Sequence, residues 1–219
     1  MGNFHPRAEN LPAEFAVFPL PGALLLPRGK LPLNIFEPRY LAMTEDSLAN
    51  GRMFAMIQPD ATQPDGPTGP ALYRVGCLGR LTSFSETDDG RFLIQLVGLI
   101  RFRIAEELET RRGYRRVRAD FSGYLPDLDL SPPTAGLERD AIQAALKDYF
   151  IRAGIDANWD SIRRIPDADL TTTLSMLCPF QPVEKQALLE APTEADRAAT
   201  LLALLRMGAT DPGGTHKPS

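Results

Sequence analysis

The ten residues Leu31-Pro-Leu-Asn-Ile-Phe-Glu-Pro-Arg-Tyr40 change from an extended segment to a helix within a few positions. Pro32 keeps the segment 30–36 out of the middle of a sheet, because proline has no amide hydrogen to donate to a ladder. Pro38 fits the first turn of a helix, where an amide hydrogen would have no partner anyway. Gly51 can adopt the left-handed backbone conformation that commonly ends a helix. Between these two points, residues recur at helical spacing at Tyr40, Met43, Ser47 and Leu48.

Short extended segments flank this helix on both sides. Prolines and glycines interrupt them, and Asp89-Gly90 is a strong hairpin-turn signal. The predicted strands are 15–20, 30–36, 52–58, 73–86, 91–97, 100–104 and 117–121. Short strands with one inserted helix predict an α+β chain whose first domain, residues 12–126, is a small closed or nearly closed β-barrel.

Beyond the proline-rich segment 127–133 the apolar period becomes that of helices. Apolar helical patterns cover 137–150, 170–177 and 183–189, and a last helix contains Leu201 and Leu205. Thr193 and Asp196 have the spacing of a capping box in front of that helix. The sequence therefore predicts a helical bundle over 134–207, with flexible tails at 1–11 and 208–219.

Composition excludes several classes of protein. The 219 residues carry a net charge of −4, which gives no general attraction to nucleic acid or anionic membranes. Both histidines, His5 and His216, lie in the predicted tails, and Cys77 and Cys178 form no metal-binding pair. The apolar segment 15–27 is too short and too rich in proline to span a bilayer. We expect a cytoplasmic protein with no metal and no cofactor.

Catalytic motifs are also missing from the sequence. Residues 22–30 resemble a phosphate-binding loop, but the glycine spacing is wrong and Leu31 stands where a magnesium-binding Ser or Thr is needed. No Gly-x-Ser-x-Gly or Ser-x-x-Lys arrangement is present. Paired carboxylates such as Asp127 and Asp129 fit solvated turns better than general acid–base catalysis. We therefore predict that the chain is not an enzyme.

Seven arginines lie between positions 101 and 118. In the run 100–104, alternation predicts that the isoleucines and Phe102 face inward and the arginines outward. One interpretation is an RNA-binding face, because a row of arginines can contact phosphates. Its residues would be Arg101, Arg103, Arg116 and Arg118. The alternative is a solvated sheet face. Neighbouring acidic residues reduce its positive charge, and it offers few aromatic rings for bases to stack on.

The apolar arm, residues 16–27, also allows two interpretations. Its prolines prevent it from completing a ladder. It can therefore pack beneath the helical half as core, or it can present an apolar groove to an extended partner.

Several motifs resemble the amino-terminal, substrate-binding domain of Lon proteases. The resemblance rests on the ten-residue block ending in Tyr40 and on motifs before and after it. These are Phe18-Pro-Leu-Pro-Gly22, Leu26-Pro27, Tyr73-Arg-Val-Gly76, Asp89-Gly-Arg91, Leu96-Val-Gly98, Arg101-Phe-Arg-Ile104 and Val183-Glu-Lys-Gln-Ala-Leu-Leu-Glu190 with Arg197 and Leu201. The resemblance covers roughly residues 12 to 207.

This resemblance implies a PUA-like β pseudo-barrel followed by a helical bundle. In full-length Lon the corresponding region recognises unfolded or degron-bearing polypeptides, while other domains hydrolyse ATP and peptide bonds. This sequence contains no Walker motif and no Ser–Lys protease domain, so a stand-alone bacterial form is expected. Its partners would be unfolded or extended polypeptides or a partner protein in protein quality control, without membrane or nucleic-acid binding. The client, any cooperation with a full-length Lon and the oligomeric state stay open.

The candidate binding residues are apolar and lie beside the unpaired sheet edge. They are Leu24, Leu25, Leu26, Leu33, Phe36, Tyr40 and Met43. Glu37 and Arg39 flank Pro38, and we expect these opposite charges to fix the start of the helix to the barrel by hydrogen bonds, as a structural signature and not as catalytic groups.

Overall fold

The computed structural model describes residues 7–129 and 138–208. Within them, two short 3-10 helices lie at Ala8–Asn10 and Leu125–Leu128. The strands are β1 (Glu14–Pro19), β2 (Lys30–Ile35), β3 (Met53–Ile57), β4 (Val75–Glu86), β5 (Phe92–Arg111) and β6 (Tyr114–Asp120). The helices are α1 (Pro38–Ala49), α2 (Arg139–Ala153), α3 (Trp159–Arg163), α4 (Asp167–Leu177), α5 (Pro182–Glu190) and α6 (Glu194–Gly208).

The strands form one six-stranded mixed sheet in the order β2-β5-β4-β3-β1-β6. β1 and β3 run parallel, and the other paired strands run antiparallel. β6 pairs with β1 on one side and with the second half of β5 on the other. The pairings of β5, β4, β3, β1 and β6 therefore run in a ring, and β2 is attached to β5 outside it.

β5 is one long strand where alternation predicts two. The two predicted segments meet at Gly98, where the register against β4 shifts. A Cβ at Gly98 would lie 2.0 Å from the carbonyl oxygen of Leu26, so only glycine allows the apolar arm to cross the strand here. Arg28 N–H donates to the Gly98 carbonyl at 2.8 Å, which joins the crossing segment to β5. The glycine therefore marks a close approach of two backbones and not a break.

α1 starts and stops where its sequence predicts. Pro38 occupies its first turn, and Gly51 has a left-handed φ of +78° after the helix. Asp46 joins this helix to the β5–β6 turn, because it accepts hydrogen bonds from the Tyr114 hydroxyl at 2.6 Å and from Arg112 Nη1 at 2.9 Å. The helix is thus fixed against β6 by polar contacts as well as by its buried face.

The carboxy-terminal half is helical, as predicted. Thr193 and Asp196 form the expected capping box: the Thr193 amide donates to the Asp196 carboxylate, and the Asp196 amide donates to the Thr193 hydroxyl, each at 3.1 Å. The five-residue helix α3 was not predicted. Its N-cap is Asn158, whose side chain accepts a hydrogen bond from the Ser161 amide at 3.0 Å.

Two apolar clusters stabilise the fold. One contains Phe15, Val17, Phe102 and Val117, from strands β1, β5 and β6. The other is larger and includes residues of the arm, of α1, of the opposite face of the strands and of helices α2, α4, α5 and α6. The predicted domains 12–126 and 134–207 therefore share a core. The predicted tails at 1–11 and 208–219 lie largely outside the described residues.

Candidate functional site

The apolar arm belongs to the core of the protein. Its three consecutive leucines are at most 2% exposed: Leu24, Leu25 and Leu26. On the sheet side the arm lies against Gly98. On the helix side, the Lys185 ammonium donates a 2.6 Å hydrogen bond to the Gly22 carbonyl, and Arg28 forms an ion pair with Glu194. The arm is thus enclosed between the sheet and the helical half.

Tyr40 and Met43 are buried as well, on the inner face of α1. The prediction that these two side chains and the three leucines form an exposed binding surface is therefore wrong. The expectation that prolines keep the whole arm out of a ladder is also wrong, because residues 16–19 belong to β1, which pairs with both β3 and β6. Residues 20–27 form no strand, and their apolar side chains gain most by leaving water completely, with α4, α5 and α6 supplying the cover. Of the two interpretations of the arm, the structure shows core packing.

Leu33 and Phe36 are the two predicted contact residues that stay accessible. Phe36 is 62% exposed and Leu33 is half-buried. Leu33 lies opposite Ile94, which lies opposite Phe84 on its other side, so these side chains share one sheet face. Phe84 is itself exposed. Phe36 does not belong to that row: it directly follows the buried Ile35, at the end of the same strand. We call Leu33 and Phe84, together with Phe36 at the end of β2, the edge patch.

The edge patch adjoins an open strand edge. In the described part of the chain, β2 has a hydrogen-bonded neighbour on one side only, namely β5. Phe36 directly follows β2, next to Ile35, whose cross-strand partner is Phe92. The Phe92 ring lies 5.0 Å from that of Phe84, so the face that contains Leu33 is apolar across three strands, with Phe36 at the end of β2. An apolar surface and an unpaired backbone edge therefore occur together.

Glu37 and Arg39 act differently from the prediction. Arg39 Nη2 lies 2.9 Å from Glu37 Oε2, and both side chains are about half exposed, so the two charges pair with each other. The start of α1 is fixed by stacking instead: the Arg39 guanidinium lies 4.6 Å from the Tyr40 ring, and that ring lies 4.1 Å from the ring of Phe18. Pro38 has the predicted position in the first turn.

A cleft of about 260 Å³ opens beside Glu37 and Arg39, at the start of α1. Its charged lining residues are Glu37, Arg39 and Arg115. Burial raises the pKa of Tyr40, a further lining residue, against the opposing effect of the Arg39 charge. The Tyr40 hydroxyl therefore stays protonated at neutral pH. The apolar walls include Pro19, Pro21, Pro59, Pro70, Phe18 and Tyr114.

Arg115 is the buried cation of this cleft, at 8% exposure. Its Nη1 donates to the Pro70 carbonyl and its Nη2 to Glu107 Oε2, each at 2.6 Å. Its Nε has no hydrogen-bond partner among the described residues. Sequence reasoning did not select Arg115, although it is two residues from the buried Val117 along β6 and therefore faces the other way from Arg116 and Arg118.

Arg101 does not belong to an exposed face. It is 5% exposed and forms an ion pair with Asp127, with Nη2 to Oδ1 at 2.8 Å. Its Nη1 donates to the Leu189 carbonyl at 3.1 Å and to the Ala191 carbonyl at 2.6 Å, at the end of α5. The outward direction expected from alternation was correct, but the helical half covers that side of β5. Arg101 therefore connects the sheet to the helical half through an ion pair and hydrogen bonds.

The other arginines of the predicted RNA face are exposed or half-buried, but carboxylates surround them. Arg116 and Arg118 both pair with Glu14, at 3.2 and 2.8 Å, and Arg118 also pairs with Glu106. Arg103 is exposed and lies opposite Asp120. The mixed charge of this face is that of a solvated sheet surface, and it gives RNA binding no support.

Comparison with known proteins identifies the family. The family model described as the ATP-dependent protease La (LON) substrate-binding domain matches residues 14–207. The chain therefore belongs to the Lon substrate-binding domain family, as its motifs predict. That match covers the sheet, the edge patch, the cleft and the helical half.

Curated relatives are similar to the chain over a small part of their own length. Lon protease 2 of Sorangium cellulosum is 28% identical over 64% of this chain and 17% of its own length. Lon protease 2 of Myxococcus xanthus is 23% identical over 51% of this chain and 13% of its own length. The matched region is the substrate-binding domain, and the family model extends over no ATPase or protease domain.

Solved structures share the fold. A Lon N-terminal domain protein from Xanthomonas campestris has a TM-score of 0.55 and 21% identity over 88% of this chain and 97% of its own. The N-terminal domain of a Mycobacterium avium complex Lon protease has a TM-score of 0.54 and 15% identity over 90% and 98%. Both support the mixed α+β architecture. Among the residues that the structure describes, no helix has the length and apolar composition needed to cross a bilayer.

Proposed function

We propose that this chain is a non-catalytic, cytoplasmic module that binds unfolded or extended polypeptides, or partner proteins, in protein quality control. Membership of the Lon substrate-binding domain family supports protein substrates as its ligands. We also propose that the ring of strand pairings is the PUA-like pseudo-barrel of the resemblance, and that α2 to α6 are its carboxy-terminal bundle.

The observation that carries this proposal is the edge patch beside the unpaired edge of β2. An extended polypeptide can add to such an edge through main-chain hydrogen bonds, while its alternate side chains occupy apolar sites. Phe36 is the most exposed member of the patch. Because this mode needs a chain without its own tertiary structure, it selects unfolded or extended segments.

The affinity should be weak. Ordering a flexible polypeptide and desolvating its polar groups offset much of the contact energy. Pro32 on β2 also lacks an amide hydrogen, so a strand added there forms fewer ladder bonds. We expect dissociation constants in the roughly micromolar range.

Fluorescence anisotropy with labelled unfolded-protein peptides tests the proposal. Phe36→Ser should raise the dissociation constant by about tenfold, because a largely exposed aromatic ring loses its contact with the ligand. Phe84→Ser should act in the same direction. Ile151→Ser is the matched control, since Ile151 is 67% exposed but lies on α2, outside the patch.

Two outcomes would count against the proposal. Absence of binding at high protein concentration would remove the polypeptide ligand altogether. Equal weakening by Phe36→Ser and Ile151→Ser would show that exposed apolar residues bind peptide without a defined site.

A further inference from the structure

We propose that Pro32 is a specificity-determining residue of the open β2 edge. It allows this edge to pair with an extended segment of a client polypeptide, and it makes the edge a poor partner for the same edge of a second copy of the chain. The client half of the inference rests on the proposed function, whereas the second half does not. The directions of the β2 backbone groups and the position of this proline carry both halves.

A hydrogen bond at the start of β2 fixes which of its residues face the open edge. The Gly98 amide donates to the Gly29 carbonyl at 2.9 Å, so Gly29 faces β5. The register of β2 against β5 continues from this pair without a shift. Because successive residues of a strand direct their backbone groups to opposite sides, the odd-numbered residues of β2 face β5 as well. The outward residues are therefore Lys30, Pro32 and Asn34.

The outward residues are accessible. Their side chains are all exposed, and within the described ranges no hydrogen bond from elsewhere in the chain reaches their backbone groups. Pro32 has no amide hydrogen, so its outward orientation costs β2 no bond to β5. The edge thus offers three carbonyl acceptors but only two amide donors, those of Lys30 and Asn34.

A client segment that adds to this edge lacks one hydrogen bond. Its carbonyls can accept from the Lys30 and Asn34 amides, and its own amides can donate to all three outward carbonyls. The missing bond is the one that an amide at position 32 would donate, and its absence lowers the affinity by about fivefold. Alternate client side chains lie beside Leu31 and Leu33, which are half-buried, so a segment that alternates apolar and polar residues suits the edge.

A second copy of the chain lacks two hydrogen bonds. When two β2 edges pair in a register that includes both prolines, each copy fails to donate at position 32. Self-pairing is therefore weakened by about 25-fold, against about fivefold for a client. Proline on an edge strand is one of the means by which proteins prevent edge-to-edge association. The edge is thus better suited to a client segment than to its own copy.

Backbone methylation of a peptide tests the pairing of a client. The parent probe is a short, fluorescently labelled peptide of alternating valine and threonine, because a shift by two positions leaves its phase unchanged. One variant is N-methylated at every valine and the other at every threonine. One of them should bind like the parent and the other at least about tenfold more weakly, because only alternate amides face β2. Equal binding of the two methylated peptides would overturn the client half.

Pro32→Ala tests the missing donor directly. The new amide faces the open edge and should tighten binding of the parent peptide by about fivefold. Pro67→Ala is the matched control, since Pro67 is also exposed but lies in the loop between β3 and β4. Asn34→Pro makes the opposite change and should weaken binding by at least about fivefold. Unchanged or weaker binding by Pro32→Ala, with a wild-type circular dichroism spectrum, would contradict the role of Pro32.

Analytical ultracentrifugation of the full-length chain without peptide tests the second half. Pro32→Ala should strengthen self-association by about 25-fold relative to the wild type, because both missing donors are restored. Pro67→Ala should leave it unchanged. Equal self-association of Pro32→Ala and the wild type at the highest attainable concentration would show that the proline does not discriminate against a second copy.

These results separate the inference from the proposed function. If the parent peptide does not bind at all, the proposed function and the client half fail together, and ultracentrifugation still decides the second half. If the parent peptide binds but neither the phase of methylation nor Pro32→Ala changes its affinity, the polypeptide ligand is retained and its pairing with the β2 edge is wrong.

Discussion

At the scale of single residues, Arg101 shows how one side chain can join two halves of a protein. Its guanidinium pairs with Asp127 and binds carbonyls that follow α5. Arg197 binds the neighbouring Leu188 carbonyl through Nε at 2.9 Å. Two cations thus bind the carboxy-terminal end of one helix, where the helix dipole is negative.

Arg101→Met should lower the free energy of unfolding by about 3–5 kcal/mol, because it leaves Asp127 buried without its partner. Urea denaturation measures the loss. Arg118→Met is the control: its side chain is 50% exposed, and its loss should be about 0–1 kcal/mol. Adding Asp127→Leu to Arg101→Met should restore part of the loss. A decrease below about 1 kcal/mol for Arg101→Met would contradict the structural role.

The burial of Arg101 could not be predicted from the sequence. It alternates with Ile100 and Phe102 in the same way as Arg103 does, and nothing local distinguishes the two arginines. What buries Arg101 is a helix that begins some eighty positions later, at Pro182. Asp127 lies in a proline-rich segment that we interpreted as a solvated turn, so the ion pair could not be predicted.

At the scale of elements, local patterns predicted well. The alternating runs became strands, Pro38 began α1, and the Thr193–Asp196 capping box formed as expected. These features depend on neighbours within a few residues. The accessibility of the apolar arm depends on how elements stack, and that part of the site prediction was therefore wrong.

The contact between α1 and β6 should depend on pH. The hydrogen bond from Tyr114 lowers the pKa of Asp46 below 3.8, with help from Arg112 and Arg111 and against some desolvation. A carboxyl whose pKa is lowered by folding stabilises the protein fully above its unfolded pKa, and this contribution is lost as the pH falls towards the folded value. Stability should therefore decrease below about pH 4.

Urea unfolding of the wild type and of Asp46→Asn between neutral and acidic pH measures this contribution. The wild type should be more stable near neutral pH, and the difference should shrink below about pH 4. Tyr114→Phe removes the main donor and should also flatten the dependence. Curves of wild type and Asp46→Asn that stay parallel over the whole range would contradict this role of Asp46.

At the scale of the whole molecule, the sheet and the helices should unfold together. Cys77 on β4 and Cys178 after α4 are both buried, and both belong to the larger apolar cluster. Burial raises the pKa of both thiols, that of Cys178 to about 12. Their reaction with a thiol reagent therefore requires the core to open.

Single-cysteine variants, Cys77→Ala and Cys178→Ala, separate the two signals. The remaining thiol should react at the same rate in both variants, with the same dependence on urea, because one cooperative opening exposes both positions. Much faster labelling of Cys178 under native conditions would mean that the helical half opens alone, and it would contradict a shared core.

The enclosed arm has a consequence for synthesis on the ribosome. Leu24, Leu25 and Leu26 leave the exit tunnel early, but the helix that ends at Glu190 is translated more than 160 residues later. At about 5–20 residues per second, this delay is roughly 10–30 s. During that interval the three leucines lack the helices that cover them in the folded protein, so we expect this segment to be accessible to ribosome-associated chaperones until the last helices emerge.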